Sequence, residues 1–458
     1  MSEITGKFKK NDTVIVSLNG LGSNGVGVGR VDGFTIFAQG GLTGEKVKVK
    51  LDLIKKNYAA GAVTEVMEAS PDRVTPPCPI YKTCGGCQLQ HLNYEGQLRE
   101  KQQQVVDALT RIGHLSGVTV LPIIGAENPF YYRNKMQFPV AQHGDKLKIG
   151  CFAQATHHVV NINTCMIQKE KNNEIIAVVR DWMKKFRIPA YDEDKRSGIV
   201  RHVMGRVGVQ TGEVMVVIVT AVLELPHGKD LVKMLKASVP GVKSVVQNIN
   251  QRHTAVILGT KNRILSGKDT IKDKIGTLKF NISALSFFQV NSEQAEKLYG
   301  TALEFAALTG TETVVDVYCG TGTITLFLAK KAKEVYGIEI VAPAIKDARK
   351  NADDNKCSNA HFLLGDAANT MPELAERGIV PDVVIVDPPR AGCEERVLEA
   401  IAKAKPQKIV YVSCNPATLA RDVAYLHQQG YEVRKVQPVD MFPMTHHVEC
   451  VCLLTKNK

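Results

Sequence analysis

Three stretches of this chain carry side chains of the type and spacing that chemistry requires. The first is Ser413-Cys414-Asn415-Pro416, which follows the apolar run Ile409-Val410-Tyr411-Val412. That run reads as a buried parallel strand, and the Asn-Pro pair ends it, because proline donates nothing to a ladder and disfavours a helical residue before it. A helix is expected to start at Ala417. Cys414 then lies at the carboxyl end of a strand, where open α/β sheets place their ligands. Beside a helix N-terminus its thiol pKa is expected to fall, which makes a nucleophile. A cysteine so placed is more often a small buried hydrophobe, so the rest of the chain has to decide. The second stretch is Asp387-Pro388-Pro389-Arg390-Ala391-Gly392, again at the end of an apolar run, Val383 to Val386. The third is a cysteine group, Cys78-x5-Cys84-Gly85-Gly86-Cys87, with Cys165 far downstream. Thiolates in a glycine- and proline-rich loop can wrap an ion or a cluster, and four sulfurs satisfy tetrahedral zinc or a [4Fe–4S] cluster. The spacing matches neither paired CxxC zinc ribbons nor CxxxCxxC, so the residues leave both open, and Cys151 competes as a fourth ligand.

A glycine turn supplies the cofactor reading. Asp316-Val317-Tyr318-Cys319-Gly320-Thr321-Gly322 runs from a hydrophobic strand into a helix, and glycines there let a ligand approach backbone at a helix N-terminus. The next strand, Val335 to Ile340, carries Glu339, placed to bond ribose hydroxyls, and a third ends at Gly365-Asp366. A dinucleotide fingerprint fails, because its third glycine is Thr325. S-adenosylmethionine (SAM), with a carboxylate and a ribose diol but no pyrophosphate, fits better.

The elements that must position these groups divide the chain into three. Residues 1–70 contain about five short strands broken by glycines, consistent with a small OB-like barrel. Lys46, Lys48 and Lys50 alternate onto one of its faces, which suits RNA binding or simply a solvated surface. Residues 71–285 follow as a central α+β domain; a helix over 93–115 within it is a candidate to pack on the catalytic unit. Within the same domain, Tyr132, Arg133 and Lys135 interleave aromatic and cation, which suits stacking on bases and neutralising phosphate. Residues 286–458, opening on Ser286-Phe287-Phe288-Gln289-Val290-Asn291, form the catalytic domain.

The charge is divided in the same way. The whole chain carries +12, with +9 concentrated in 181–285 and −3 over 286–458. A polyanion gripped by one domain and modified by another fits that division. No signal-peptide core and no membrane span are visible, and 11 cysteines without a disulfide pattern point to a reducing cytoplasm.

Taken together, FFQVN, DVYCGTG, VDPPRAG, SCNP and HVE, with the four cysteines and the barrel, resemble the RNA uracil-5-methyltransferase family, in particular its iron–sulfur branch acting on 23S ribosomal RNA. The barrel resembles TRAM domains. The resemblance implies a Rossmann-like SAM-dependent methyltransferase domain behind an N-terminal TRAM barrel and an iron–sulfur domain. It implies a [4Fe–4S] cluster on Cys78, Cys84, Cys87 and Cys165, and SAM or target contacts from Gln289, Tyr318, Gly320, Gly322, Glu339, Asp366 and Asp387. It also implies that the barrel and the cysteines separate ribosomal from transfer-RNA enzymes, which lack both. The chemistry needs Cys414 to attack carbon 6 of uracil so that carbon 5 can take a methyl group, and a base to remove the carbon 5 proton. Glu449, in His447-Val448-Glu449, stands out only because that base is required. The expected product is 5-methyluridine, from a cytoplasmic monomer with no membrane partner. The alternatives are a transfer-RNA methyltransferase of the same chemistry, a non-catalytic RNA-binding or ribosome-assembly factor, and a nicotinamide-dependent oxidoreductase.

Overall fold

The computed structural model describes residues 8–457, so the first seven residues of the expected barrel domain lie outside the described residues. Thr13–Leu21, Gly27–Val31, Phe34–Gln39, Lys46–Ile54 and Tyr58–Glu68 close into a five-stranded barrel. Period-two alternation drives it: Val47, Val49 and Leu51 fill the interior while Lys46, Lys48 and Lys50 face outward. Two of those lysines are matched across the strand pair, Lys46 to Glu68 at 3.3 Å and Lys48 to Glu65 at 2.8 Å. The face is therefore of mixed charge rather than a cationic stripe. Closure brings backbones together, and a Cβ at Gly61 would stand 2.1 Å from the Lys50 carbonyl oxygen.

Residues 135–267 build a seven-stranded sheet in the spatial order Lys261–Gly267, Val242–Ile249, Val214–Thr220, Val200–Val207, Lys135–His143, Lys146–Phe152, Val159–Asn161. Helices Glu170–Lys185 and Gly228–Ser238 pack on it, burying Trp182 and Leu231 with Val216 and Ile218.

The C-terminal sheet has eight strands: Ala360–Leu364, Glu334–Glu339, Thr313–Val317, Val383–Val386, Lys408–Ser413, Glu449–Lys456, Tyr431–Val439 and Thr119–Val120. The first five are parallel, and Glu449–Lys456 enters antiparallel between two neighbours. Strand order reverses between Thr313–Val317 and Val383–Val386, which opens a crevice at their carboxyl ends. Val383–Val386 is buried on both faces, which is why it reads as a continuous apolar run. Among the described residues no helix is long and apolar enough to cross a membrane.

The catalytic core draws on residues well upstream of 286. Helix Tyr94–Arg111 buries Val105 and Leu109 against Leu419 and Val423, and Thr119–Val120 adds an edge strand beside Tyr431–Val439. The hairpin Thr270–Ile275/Leu278–Ser283 contributes Ile271 and Phe280 to the core that holds Leu298 and Phe327. The composition change at FFQVN marks the wall of the crevice, not the start of that core.

One buried ion pair fastens helix Tyr94–Arg111 to the sheet. Lys101, only 1% exposed, places Nζ 2.6 Å from Asp440 Oδ1 and 3.1 Å from the Phe442 carbonyl, while the Tyr94 hydroxyl donates to Asp440 Oδ2 at 2.8 Å. Removing only the cation strands a buried carboxylate. Lys101→Met is expected to cost about 3–5 kcal/mol, and Lys101→Met/Asp440→Asn to recover most of it. Urea unfolding followed by circular dichroism checks both.

Candidate active site

The strand Lys408–Ser413 delivers Cys414 to the crevice, and the residues after it hold it there. Asn415 caps the helix Pro416–Gln428, its Oδ1 accepting from the Ala417 N–H at 3.1 Å. Its Nδ2 donates to the Arg390 carbonyl at 3.2 Å, which joins this turn to the Asp387–Gly392 segment. Proline at the first helical position has no N–H, and the next amide is spent on the cap, so little of the helix terminus is left for a thiolate. The thiol pKa does not fall as the sequence predicts: burial, then the charges of Glu449 and Asp387, push the Cys414 thiol up to about 11, with Arg390 opposing.

Carboxylates crowd the same crevice. Glu449, 5% exposed at the start of its strand, is pushed up to about 8, first by burial and then by Asp387. Burial raises Asp387 to about 6. Asp316, completely buried, rises to about 7 for the same reason; its Oδ2 accepts from Thr325 Oγ1 at 2.6 Å, while its Oδ1 has no hydrogen-bond partner among the described residues. The Thr325 that breaks the dinucleotide pattern is thus the partner of this aspartate. A pocket of buried acids, one with an unfilled acceptor, is suited to a cation or to hydrogen-bond donors.

The glycine turn and the second strand are tied together by the residues expected at a ribose. Glu339 Oε2 accepts from the Gly320 N–H at 3.1 Å and Oε1 from the Val341 N–H at 2.9 Å. Tyr318 and Gly322 both take positive φ, 66° and 79°, and a Cβ at Gly322 would stand 2.9 Å from the Phe362 ring. Asp366 caps the helix Ala367–Glu376 through Ala368 and pairs with Arg396 at 2.6 Å. Gln289 lies in the wall opposite, its carbonyl accepting from Asn134 Nδ2 at 2.9 Å.

The expected RNA contacts divide. Tyr132 is 3% exposed and its hydroxyl donates to the Pro443 carbonyl at 3.1 Å. It is a core residue with no free face for a base, because an aromatic beside cations looks the same in a core as on a surface. Arg133 and Lys135 are half-buried; burial, then Arg206 and Arg133, hold the Lys135 ammonium down to about 8.

The four cysteines named at the outset come together. Cys78, Cys84, Cys87 and Cys165 line one cavity of about 200 Å³, and Cys151 joins them, its thiol donating to Cys84. All are free thiols. Among the described residues no three His, Cys, Asp or Glu side chains converge as a single bound ion requires. The thiols surround a volume instead of a point, which suits a multi-atom cluster, whose cysteines each bind a different iron.

Several groups in or beside the site had no role read for them from the sequence. Arg206 donates to the Ser286 carbonyl from the central sheet, and Arg390 places a guanidinium nitrogen 3.1 Å from His447 Nδ1. Tyr299, 3% exposed, adds a phenol beside Gln289, Asp387 and Glu449. A helical tyrosine among apolar neighbours reads as core, and nothing in one sequence distinguishes it.

Known proteins resemble the chain over nearly its whole length. The profile of the tRNA (Uracil-5-)-methyltransferase family matches residues 93–457, and that of the TRAM domain matches residues 7–64. An uncharacterised RNA methyltransferase of Halalkalibacterium halodurans is 50% identical over 454 residues, 99% of each chain. Another, of Clostridium tetani, is 49% identical over 447 residues, 98% of this chain and 97% of its own. Among solved structures, the Pyrococcus abyssi tRNA (uracil-54, C5)-methyltransferase in complex with S-adenosyl-L-homocysteine superposes with a TM-score of 0.77 at 30% identity, over 96% of this chain and 99% of its own. That span is too complete to omit the barrel.

The raised Glu449 pKa has a direct consequence for stability. Below its ordinary 4.5 the group is protonated in both states and costs nothing; as pH rises through about 8 the folded state must ionise a buried carboxylate. Stability of the ligand-free protein is expected to fall across that window, and Glu449→Gln to remove part of the fall, on the order of a few kcal/mol at the alkaline end. Thermal melts of both proteins at intervals of pH test it: parallel curves would refute the assignment.

Proposed function

This chain belongs to the tRNA (Uracil-5-)-methyltransferase family and is a SAM-dependent RNA methyltransferase of the uracil-5 type, and we propose that it forms 5-methyluridine in 23S ribosomal RNA through Cys414 and Glu449. The observation that supports this reading is the joint placement of a strand-end cysteine and a buried, high-pKa glutamate around one crevice.

Carbon 5 of uracil is a weak nucleophile. The Cys414 thiol first gives up its proton to water; its thiolate then attacks carbon 6, forming the S–C6 bond and displacing the C5–C6 π pair towards carbon 5, which leaves an enolate. Bound SAM supplies a methyl group on a sulfonium, whose charge also favours the ionised forms of Asp316, Asp387 and Glu449. Once carbon 5 is methylated, Glu449 takes its proton; the C–H electron pair restores the C5–C6 double bond and expels the Cys414 thiolate. Asp387 is suited to hold the uracil edge. Gln289, Tyr318, Gly320, Gly322 and Glu339 are suited to hold the cofactor. Asp366, already a cap and an ion-pair partner, serves better by fixing its helix. The target base has to leave its stack, at a cost of about a few kcal/mol, which Arg133 and Lys135 help to offset at the phosphates.

The cysteine cavity supports a [4Fe–4S] cluster on Cys78, Cys84, Cys87 and Cys165, with a structural role, since methyl transfer moves no electron. The cavity and the resemblance to the iron–sulfur branch together favour ribosomal RNA. The barrel no longer argues for it, because a protein named as a tRNA methyltransferase spans it as well. Transfer RNA is therefore the second reading.

Incubation with SAM and either 5-fluorouracil-containing 23S fragments or transfer RNA separates these readings. Fluorine cannot leave as a proton does, so the enzyme stalls as a methylated adduct at Cys414. Mass spectrometry should find that adduct on the ribosomal fragment, and Cys414→Ala should lose both the adduct and on the order of a thousandfold or more in turnover. An adduct on transfer RNA alone moves the substrate assignment. No adduct on either would leave a binding factor.

A further inference from the structure

The segment from Asp440 to Glu449 crosses from one strand to the next and presents Glu449 to the crevice. Lys101 fixes its first residue. Its middle is held by the cysteine loop: the N–H groups of Gln88 and Leu89 both donate to the Met444 carbonyl, at 3.0 Å each. Met444 has φ 68°, a left-handed backbone that a side-chain-bearing residue keeps only when its surroundings impose it. Its N–H donates to Gln97 Oε1 at 3.0 Å, and its side chain packs with Tyr132 and Ile167 beside Cys87 and Cys165.

Beyond Met444 the link to the cysteine loop passes through one side chain. Gln88 Nε2 donates to the Gly85 carbonyl at 2.9 Å, which orients the amide. Its Oε1 then faces His446 Nδ1 at 3.3 Å. The His446 ring stands 4.0 Å, centroid to centroid, from His447, two residues before Glu449, and His447 meets Arg390. The barrel closes over the same contact: a Cβ at Gly25 would stand 3.3 Å from Gln88 Cβ and 3.4 Å from His446 Cβ. Arg390 also carries the Cys414 turn, its carbonyl accepting from Asn415 Nδ2, so the nucleophile lies on the far side of that arginine.

We infer that Gln88 is a positioning residue for proton removal: its amide, oriented by Gly85, sets His446 and thereby the backbone that presents Glu449. The inference rests on the reading of Glu449 as the base. The path from Gln88 to the Cys414 turn runs further, through His447, Arg390 and Asn415, so the larger effect falls on the Glu449 step.

The two halves of the reaction can be read separately. A 5-fluorouracil RNA reports attack and methyl transfer only, because it never requires the base; ordinary RNA requires both. Gln88→Met keeps the side-chain stem under the barrel and the two backbone bonds to Met444 while deleting the amide. It is expected to turn over ordinary RNA about tenfold more slowly and to accumulate a covalent Cys414 adduct on it, with adduct formation on 5-fluorouracil RNA within about threefold of the parent. His446→Phe, made from the other side of the contact, should show the same split and keeps the test open if Gln88→Met folds poorly. Turnover at the parent rate, or an equal loss on both substrates in both variants, would overturn the inference. Glu449→Gln serves as the control: if it turns over normally, the assignment of the base itself has failed, a result distinct from failure at Gln88.

Discussion

The arrangement of the catalytic unit depends on a lysine that has been taken out of water. Lys101 sits in a helix far from the catalytic sheet in sequence, and its ammonium is compensated only by Asp440 and the Phe442 carbonyl. Burial alone would drive such a group to its neutral form, and Asp440 opposes that. Around the pair, Asp440 also receives the Tyr94 hydroxyl and gives its carbonyl to Gln294 Nε2 at 3.0 Å, while Asn291 holds the Met441 carbonyl at 3.1 Å. Asn291 and Gln294 open the helix that follows Gln289. One polar node therefore joins the helix Tyr94–Arg111, the cofactor wall and the approach to Glu449, and a shift in any one of them moves the others.

The crevice that this node shapes holds an electrostatic debt. Asp316, Asp387 and Glu449 share it, all with raised pKa values, and burial together with Glu449 and Asp387 raises the Cys414 thiol as well. A site built for stability alone would not bury three acids around a thiol. The arrangement makes sense for a pocket completed by a cation, since one positive charge acts on all of the acids at once.

What could be read from the sequence was what local order dictates. Cys414 stood out because an apolar run, Asn and Pro follow one another in a way that only a strand end explains. Asp387 and the glycine turn were visible for the same reason. Contacts across hundreds of residues were not visible. Lys101 finds Asp440 across 339 positions and Gln88 finds His446 across 358, and no periodicity in either stretch announces the other. The pairing of Lys46 and Lys48 was not visible because the glutamates that neutralise them lie on another strand, at a register fixed only by closure. Tyr132 misled because its neighbours in sequence face outward while it faces Pro443. The share that residues before 286 take in the C-terminal core was not visible because the hairpin there is amphipathic: Lys272, Lys274 and Lys279 read as surface, while Ile271 and Phe280 beside them enter that core.

The division of charge along the chain follows from the same crevice. A pocket lined with acids repels a phosphate backbone, so an enzyme acting on RNA has to generate attraction elsewhere and bring it up to the pocket mouth. The excess of positive charge in residues 181–285 provides the long-range part. Cations also gather where the central sheet meets the catalytic unit: buried Arg206 reaches Ser286, half-buried Lys135 stands beside it, and Arg390 faces His447. Lys135 keeps a low pKa because its neighbours are cations and its surroundings are dry. An anion placed beside Lys135 would relieve that repulsion and favour the charged ammonium. Acidic chemistry inside and cationic grip at the rim are thus two consequences of a single requirement, that a neutral base enter the pocket while the charged chain carrying it stays outside.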